Sequence, residues 1–349
     1  MGQKKSKILQ KEGKLFNKKK ENNLIKKKEI EITKDLKSTV NFLLVTEFEN
    51  KKILIVTLYD SIIIYDLENF KQITSISFSN YSHSMVKLKN NIFLMLSERM
   101  ETFIINKRDD DKYFIEFKKL IKKDSKQINN ITKSILSQFT ENILISMNMN
   151  SIEIDELEYI NENEEIFIKR KLISIIRLIY LQDILEIDKE KIAYVNNDSL
   201  GIVSKTTNQI IINYKIGISM FCTEIFQMLN EDILCFGGGN NIYFISIKLS
   251  VILYKLCIGK NYKIITMERL NDENILVAAL NSKKSMYCVD LLEINCFDDN
   301  KDKKKEKKFK ANVKNKLYSN EKSSGNWYMR KINDESFVTS ELNFVYLWK

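Results

Sequence analysis

Few residues of this chain have the types and spacing that catalysis or metal binding requires. The 349 residues include one histidine, His83, so neither a histidine-centred triad nor a multi-histidine metal site can be assembled. The odd set of five cysteines has irregular spacing, contains no Cys-x-x-Cys pair and favours a reducing compartment. These cysteines are Cys222, Cys235, Cys257, Cys288 and Cys296. We therefore expect no enzyme activity, no metal and no cofactor.

Three consecutive glycines, Gly237, Gly238 and Gly239, raise the question of a phosphate-binding loop. Such a loop ends in Lys followed by Ser or Thr and opens a helix. Here the glycines follow an apolar run and precede two asparagines. We expect a turn between two strands instead.

The first seven residues, Met-Gly-Gln-Lys-Lys-Ser-Lys, fit the pattern for N-myristoylation. Removal of Met1 would expose the amine of Gly2, which must enter the acyltransferase without a side chain. Ser6 occupies the favoured recognition position and Lys7 follows it. This start resembles the myristoylated, lysine-rich termini of Src-type kinases, and the resemblance implies attachment to a membrane.

The formal charge of +10 is concentrated in two lysine-rich segments. Residues 1–28 carry +9, residues 297–316 carry +5, and the remainder carries about −4. One myristoyl chain holds a protein on a bilayer only marginally, and each lysine near anionic lipid adds about 1 kcal/mol. The lysines predicted to contact lipid are Lys4, Lys5, Lys7, Lys11, Lys14, Lys18, Lys19, Lys20, Lys303, Lys304, Lys305, Lys307 and Lys308. The alternative is a solvated lysine tail whose composition reflects an AT-rich genome.

A repeated pattern predicts the elements that carry these segments. Seven apolar runs, each opened by a turn rich in Asn, Asp and Glu, recur at spacings of 39 to 62 residues. Their first apolar residues are Ile53, Ile92, Ile143, Ile192, Ile233, Ile275 and Phe337. A second β-rich run starts 6 to 10 residues after each of them, as strands paired in a hairpin require. Further runs before and after give four short strands per unit, which is typical of β-propellers.

The units resemble degenerate WD repeats. Tyr65-Asp66-Leu67, Val289-Asp290-Leu291 and Tyr346-Leu347-Trp348 end the third strand, where that family has its Trp-Asp pair. The resemblance covers residues 28–349 and implies an all-β, seven-bladed β-propeller with four-stranded antiparallel blades. No Trp-Asp or Gly-His dipeptide occurs. The family's hydrogen-bonded network of Asp, His, Ser and Trp is therefore expected to be missing.

The last unit reaches Lys349 directly after its third strand, so its fourth strand must come from elsewhere. The alternating run Lys28–Thr33 is the candidate, and closure of the last blade by this N-terminal strand would remove open sheet edges. We expect residues 1–27 to form a basic tail and residues 28–349 to form the propeller. A basic insertion is expected at about 298–316.

Together these patterns predict a non-catalytic interaction scaffold, tethered to a cytosolic membrane surface by the lipid and the polybasic tail. Its expected partners are proteins or peptides on the propeller faces and an anionic membrane, the protein being a monomer within a complex. The chain shows no secretory leader and no spanning segment, so we expect it in the cytoplasm or peripheral on the cytosolic face of a membrane. The first alternative is a soluble adaptor of a signalling, trafficking, ubiquitin-ligase or RNA-processing complex without lipid. Nucleic-acid binding through the same lysines ranks lower, because few aromatic or Arg residues lie among them.

Overall fold

The computed structural model describes fourteen ranges of the chain. These are residues 26–31, 39–78, 84–89, 91–96, 100–108, 112–118, 131–162, 165–197, 199–215, 226–282, 288–299, 308–320, 327–341 and 344–348. Every regular element in these ranges is a β-strand. The strands form seven antiparallel sheets of four strands each, which we call blades one to seven.

The first three blades follow one another along the chain after an N-terminal strand, β1 (Lys26–Glu31). Blade one contains β2 (Phe42–Phe48), β3 (Lys51–Thr57), β4 (Ser61–Asp66) and β5 (Lys71–Ser77). Blade two contains β6 (Ser84–Lys87), β7 (Ile92–Leu96), β8 (Met100–Lys107) and β9 (Tyr113–Lys118). Blade three contains β10 (Lys133–Leu136), β11 (Ile143–Met147), β12 (Ser151–Glu162) and β13 (Glu165–Arg177).

The remaining blades repeat this order. Blade four contains β14 (Leu181–Glu186), β15 (Lys191–Asn196), β16 (Ser199–Ser204) and β17 (Ile210–Lys215). Blade five contains β18 (Phe226–Met228), β19 (Ile233–Gly238), β20 (Asn241–Ser246) and β21 (Val251–Cys257). Blade six contains β22 (Tyr262–Arg269), β23 (Asn274–Asn281), β24 (Cys288–Asp299) and β25 (Lys308–Asn320). Blade seven contains β26 (Trp327–Asn333), β27 (Ser336–Glu341), β28 (Phe344–Trp348) and β1.

The blades form a closed ring. The first strand of each blade contacts the first strands of its neighbours, and β2 of blade one contacts both β6 and β26. Within blades one to six the strands lie in chain order, whereas blade seven has the order β1-β28-β27-β26. The predicted seven-bladed, all-β propeller with a last blade closed by an N-terminal strand is confirmed.

The closing strand begins two residues earlier than the sequence predicted. The described part of strand β1 is Lys26–Glu31, whereas the prediction was Lys28–Thr33, of which residues 32 and 33 lie outside the described ranges. Strand β1 pairs with β28 from Lys26 opposite Trp348 to Glu31 opposite Phe344. The register shifts between Lys26 and Lys28. An outer strand is held by backbone hydrogen bonds, which need no alternation of apolar side chains. The start of the strand was therefore not predicted, because the run of lysines lacks this alternation.

The second strand of each blade is buried on both sides, which explains the continuous apolar runs of the repeats. In β3, Leu54 and Val56 pack towards blade seven, in a cluster with Val338. Ile53 and Ile55 pack towards blade two, in a cluster that contains Phe93 and Phe103. Adjacent blades thus share their cores around the ring.

Polar side chains also join neighbouring blades. Lys52 Nζ of blade one donates a hydrogen bond to the Ile332 carbonyl of blade seven at 2.7 Å. Gln227 Nε2 of blade five donates to the Met267 carbonyl of blade six at 2.9 Å. One Trp-hydroxyl link is present, because Trp348 Nε1 donates to Thr339 Oγ1 at 2.9 Å within blade seven.

Candidate functional site

The propeller has two faces, which are set by the alternation of strand direction. We call the end at which first strands turn into second strands, and third into fourth, the hairpin face, and the other end the opposite face. The start of β1 lies on the hairpin face, because Lys26 pairs with Trp348 near the end of β28. The connection from β24 to β25 reaches the same face on blade six, which adjoins blade seven through β22 and β26.

Nearly all the site residues predicted from the sequence lie outside the described residues. These are Gly2, Lys4, Lys5, Ser6, Lys7, Lys11, Lys14, Lys18, Lys19, Lys20, Lys303, Lys304, Lys305 and Lys307. Lys308 is the first residue of β25, where it pairs with Asp299. The structure therefore locates the points at which the two lysine-rich segments join the propeller. Their roles remain predictions.

Two blades carry hairpins that extend well beyond the others on the hairpin face. In blade three, β12 and β13 have 12 and 13 residues, and β24 and β25 of blade six have the same lengths. Lys89 Nζ of blade two lies 4.8 Å from the centre of the Tyr159 ring, and the Phe309 ring lies 4.9 Å from that of Phe244 in blade five. Each long hairpin therefore packs against the preceding blade. In blade six this hairpin takes in residues 308–316 of the predicted basic insertion.

A cavity of about 490 Å³ opens on the hairpin face between blade one and blade seven, and we call it the seam pocket. Its lining includes Glu47, Lys52, Glu68, Phe70 and Leu347. Leu347 pairs with Lys28 of β1, so the pocket lies beside the root of the tail. The ammonium of Lys52 is bound to a backbone carbonyl. The carboxylates of Glu47 and Glu68 make up the acidic part of the lining.

Acidic residues occupy the turns between first and second strands on the hairpin face. They occur in six of the seven blades, at Glu49, Glu141, Asp188, Glu190, Glu231, Asp232, Asp272, Glu273, Asp334 and Glu335. Asparagine side chains shape three of these turns: Asn230, Asn271 and Asn333 each accept a hydrogen bond from the second backbone N–H that follows. The described turns between first and second strands therefore carry more acidic than basic side chains, and Asp188, Asp272 and Asp334 form ion pairs with Lys191, Arg269 and Lys331.

Glu153 and Asp155, two neighbouring carboxylates between blades two and three, are the pair that most resembles a catalytic arrangement. Burial and the neighbouring Asp155 raise the pKa of Glu153, while Arg170 acts in the opposite direction. Arg170 also forms an ion pair with Asp155, which is buried. The ion pair joins two neighbouring strands of blade three, whereas Glu153 is half-buried.

The described thiols are poor nucleophiles where they are buried. Burial raises the pKa of Cys296 to about 12 and raises that of Cys235 well above its usual range. Both thiols therefore stay protonated at neutral pH.

No group of three His, Cys, Asp or Glu side chains in the described ranges is placed to hold a metal ion. Within the same ranges there is no helix long and apolar enough to cross a bilayer.

The glycine triplet forms the turn predicted for it. Strand β19 ends at Gly238, Gly239 has a φ of 60°, and β20 begins at Asn241. A side chain at Gly237 would bring its Cβ within 2.6 Å of Met267 Sδ in blade six. A larger residue at this position would therefore require the side chains of Met267 and Ile264 to shift.

Comparison with solved structures gives the fold independent support. A chain from the crystal structure of a mitotic checkpoint complex superposes with a TM-score of 0.61 at 9% sequence identity, over 100% of this chain and 98% of that one. The likeness is one of fold. It supports the seven-bladed β-propeller fold. No family model and no curated protein matches the sequence.

Proposed function

We propose that this protein is a non-catalytic interaction scaffold, held on a cytosolic membrane surface by a myristoyl group on Gly2 and by the lysines of its tail. Propeller faces bind other proteins or peptides through their turns, while the sheets keep those turns in place. The described residues fit this role because their buried polar groups join strands and blades. Lys205 and Glu186, for example, form a buried ion pair 2.7 Å apart within blade four.

The observation that best supports tethering is the position of β1. The tail precedes the first residue of β1 on the hairpin face of blade seven, and the lysine-rich connection of blade six leaves the same face. Both segments can therefore approach one bilayer together. Because the described turns of this face are acidic, the tail and the connection must supply the attraction to anionic lipid.

The alternative is a soluble adaptor without lipid. The acidic turns favour it, because they repel an anionic bilayer and attract a basic partner segment. The same turns disfavour nucleic acid as a ligand of this face, since its phosphates carry negative charge.

Flotation on vesicles that contain phosphatidylserine tests the proposal. The chain is produced with an N-myristoyltransferase, and its Gly2→Ala variant serves as the matched control. We expect Gly2→Ala to lower the floated fraction about tenfold, because a bound acyl chain contributes about 0.8 kcal/mol for each buried CH₂. Glutamine at Lys303, Lys304, Lys305, Lys307 and Lys308 should weaken flotation further, and more strongly at low salt.

Equal flotation of the wild type and Gly2→Ala would contradict tethering and leave the soluble adaptor. Salt-sensitive retention on RNA that survives Gly2→Ala would instead support nucleic-acid binding.

A further inference from the structure

The outer strands of blades three, four and five expose apolar side chains at one shared level. Each strand has a β-bulge at the same place in its blade, so that Ile173, Ile211 and Leu253 are left without a register partner. Directly before each bulge the side chains of Leu172, Ile210 and Ile252 are 48%, 50% and 40% exposed. We call the exposed apolar set at this level the rim band. It consists of Leu172, Ile173, Ile210, Ile211, Val251 and Ile252.

Blade architecture does not require these apolar residues. The outer strand of blade one has the same bulge, at Ile73, and carries the exposed polar residue Gln72 at the equivalent position. Because Gln72 fills this position in an intact blade, folding alone does not explain Leu172, Ile210 and Ile252. Neighbouring apolar side chains that stay exposed after folding indicate a surface that another molecule covers.

Hydrogen bonds link the outer strands of blades three and four to the turn before the outer strand of the next blade. Ser174 Oγ, next to Ile173, donates to Asn208 Oδ1 of blade four at 2.8 Å. Tyr214 of blade four donates its hydroxyl proton to the carbonyl of Ser250, which precedes Val251 in blade five. These two bonds link the outer edges of blades three, four and five, on which the rim band lies.

The outer-strand segments that carry the rim band contain only basic charges. Residues 166–177, 205–215 and 247–258 contain no Asp or Glu. Exposed basic side chains on these segments include Arg177, Lys215, Lys248 and Lys255, whereas Lys171 pairs with Glu156 of β12 at 3.2 Å. The band thus combines apolar contact area with a positive surrounding field, which selects a ligand of opposite charge.

The bulges determine how a ligand can bind. Strands β13, β17 and β21 are outer strands of their sheets, and an exposed outer strand can accept a partner strand through its backbone. A bulge interrupts the ladder at this point and disfavours such pairing. The band also runs across the strands rather than along one of them. Contact through side chains, as in the docking of an amphipathic helix, fits this arrangement better.

We infer that the rim band docks a partner-protein segment that presents apolar side chains flanked by Asp and Glu. The inference rests on the proposed scaffold function and names the chemistry of one of its partners. It does not depend on the lipid, because the band lies on the outer circumference of the ring, on blades three to five, whereas the tail joins blade seven.

Selection from a displayed library of short random peptides tests the inference. The full chain is the target, and its variant Leu172→Gln, Ile210→Gln, Ile252→Gln, which copies Gln72 of blade one, is used for counter-selection. We expect the enriched peptides to be amphipathic and net negative, and to bind the variant about tenfold more weakly. Their Lys-for-Glu versions should lose binding. The melting temperature of the variant should change by no more than about 3 °C, because all three side chains are exposed.

Met149→Gln, an exposed apolar residue on the opposite face, is the matched control and should leave peptide binding unchanged. Enriched peptides without negative charge, equal binding to the triple variant, or no enrichment would each overturn the inference. Flotation of the unacylated chain that is lost in the triple variant would assign the band to lipid and overturn it as well. Gly2→Ala should lower flotation of the acylated chain without affecting peptide binding, so the two proposals fail separately.

Discussion

Deletion of residues 1–31 is expected to open the propeller, whereas deletion of residues 1–25 is expected to leave it closed. The longer deletion removes β1, which pairs with β28 from Lys26 to Glu31. At about 1 kcal/mol for each net backbone hydrogen bond, we expect a loss on the order of 4 kcal/mol in the free energy of unfolding. The backbone edge of β28 would then be free to pair with other chains.

Thermal unfolding and light scattering of the two deletions would measure this effect. The shorter deletion should remain monomeric, with a melting temperature close to that of the full chain. The longer one should unfold earlier and associate, and a peptide of residues 22–33 added in trans should restore it. A stable monomer after deletion of residues 1–31 would show that β1 does not hold the ring closed.

Glu186→Ala should be among the most destabilising single substitutions. The buried carboxylate of Glu186 accepts hydrogen bonds from Lys205 Nζ at 2.7 Å, from Ser137 Oγ at 2.6 Å and from the Gln138 backbone N–H at 3.1 Å. Ser137 and Gln138 belong to blade three, so this carboxylate joins two blades. Alanine leaves the ammonium of Lys205 buried without its counter-charge. Loss of one partner of a buried pair costs about 3–5 kcal/mol.

Urea unfolding of three variants separates this cause from simple loss of volume. The double variant Glu186→Leu, Lys205→Met removes both charges and should recover much of the loss. Glu156→Ala breaks the exposed pair with Lys171 and should cost less than about 1 kcal/mol. A Glu186→Ala variant no less stable than Glu156→Ala would contradict the assigned role of the buried carboxylate.

The strands were predictable because their signal is local. A turn rich in Asn and Asp followed by an apolar run predicted where the second strands start. Strand β11 begins at Ile143 and β19 begins at Ile233, as expected. Closure by an N-terminal strand followed from counting strands. Its exact start did not, because Lys26 and Lys28 lack the alternation that marks a strand at the sequence level.

The surfaces were less predictable, because they depend on register and on contacts distant in sequence. Residues 307–313 were a candidate for the fourth strand of blade six, but the lysine-rich composition did not indicate a strand of 13 residues in which Ala311 is buried. Glu186 and Lys205 are 19 residues apart, and no sequence pattern distinguishes this buried pair from exposed ones. The rim band could not be predicted either, because Leu172, Ile210 and Ile252 occupy equivalent positions only through their bulges. The positions of the bulges are known only from the strand pairing.

Amide hydrogen exchange of the acylated chain, with and without phosphatidylserine vesicles, tests the central claim most directly. That claim is a propeller held on the membrane by its tail, with the hairpin face of blades six and seven towards the bilayer. We expect slower exchange in peptides that cover the tail, the start of β1 and residues 299–308. Opposite-face turns at 58–60 and 148–150 should be unchanged. Slower exchange at those turns, or no change anywhere, would contradict the claim.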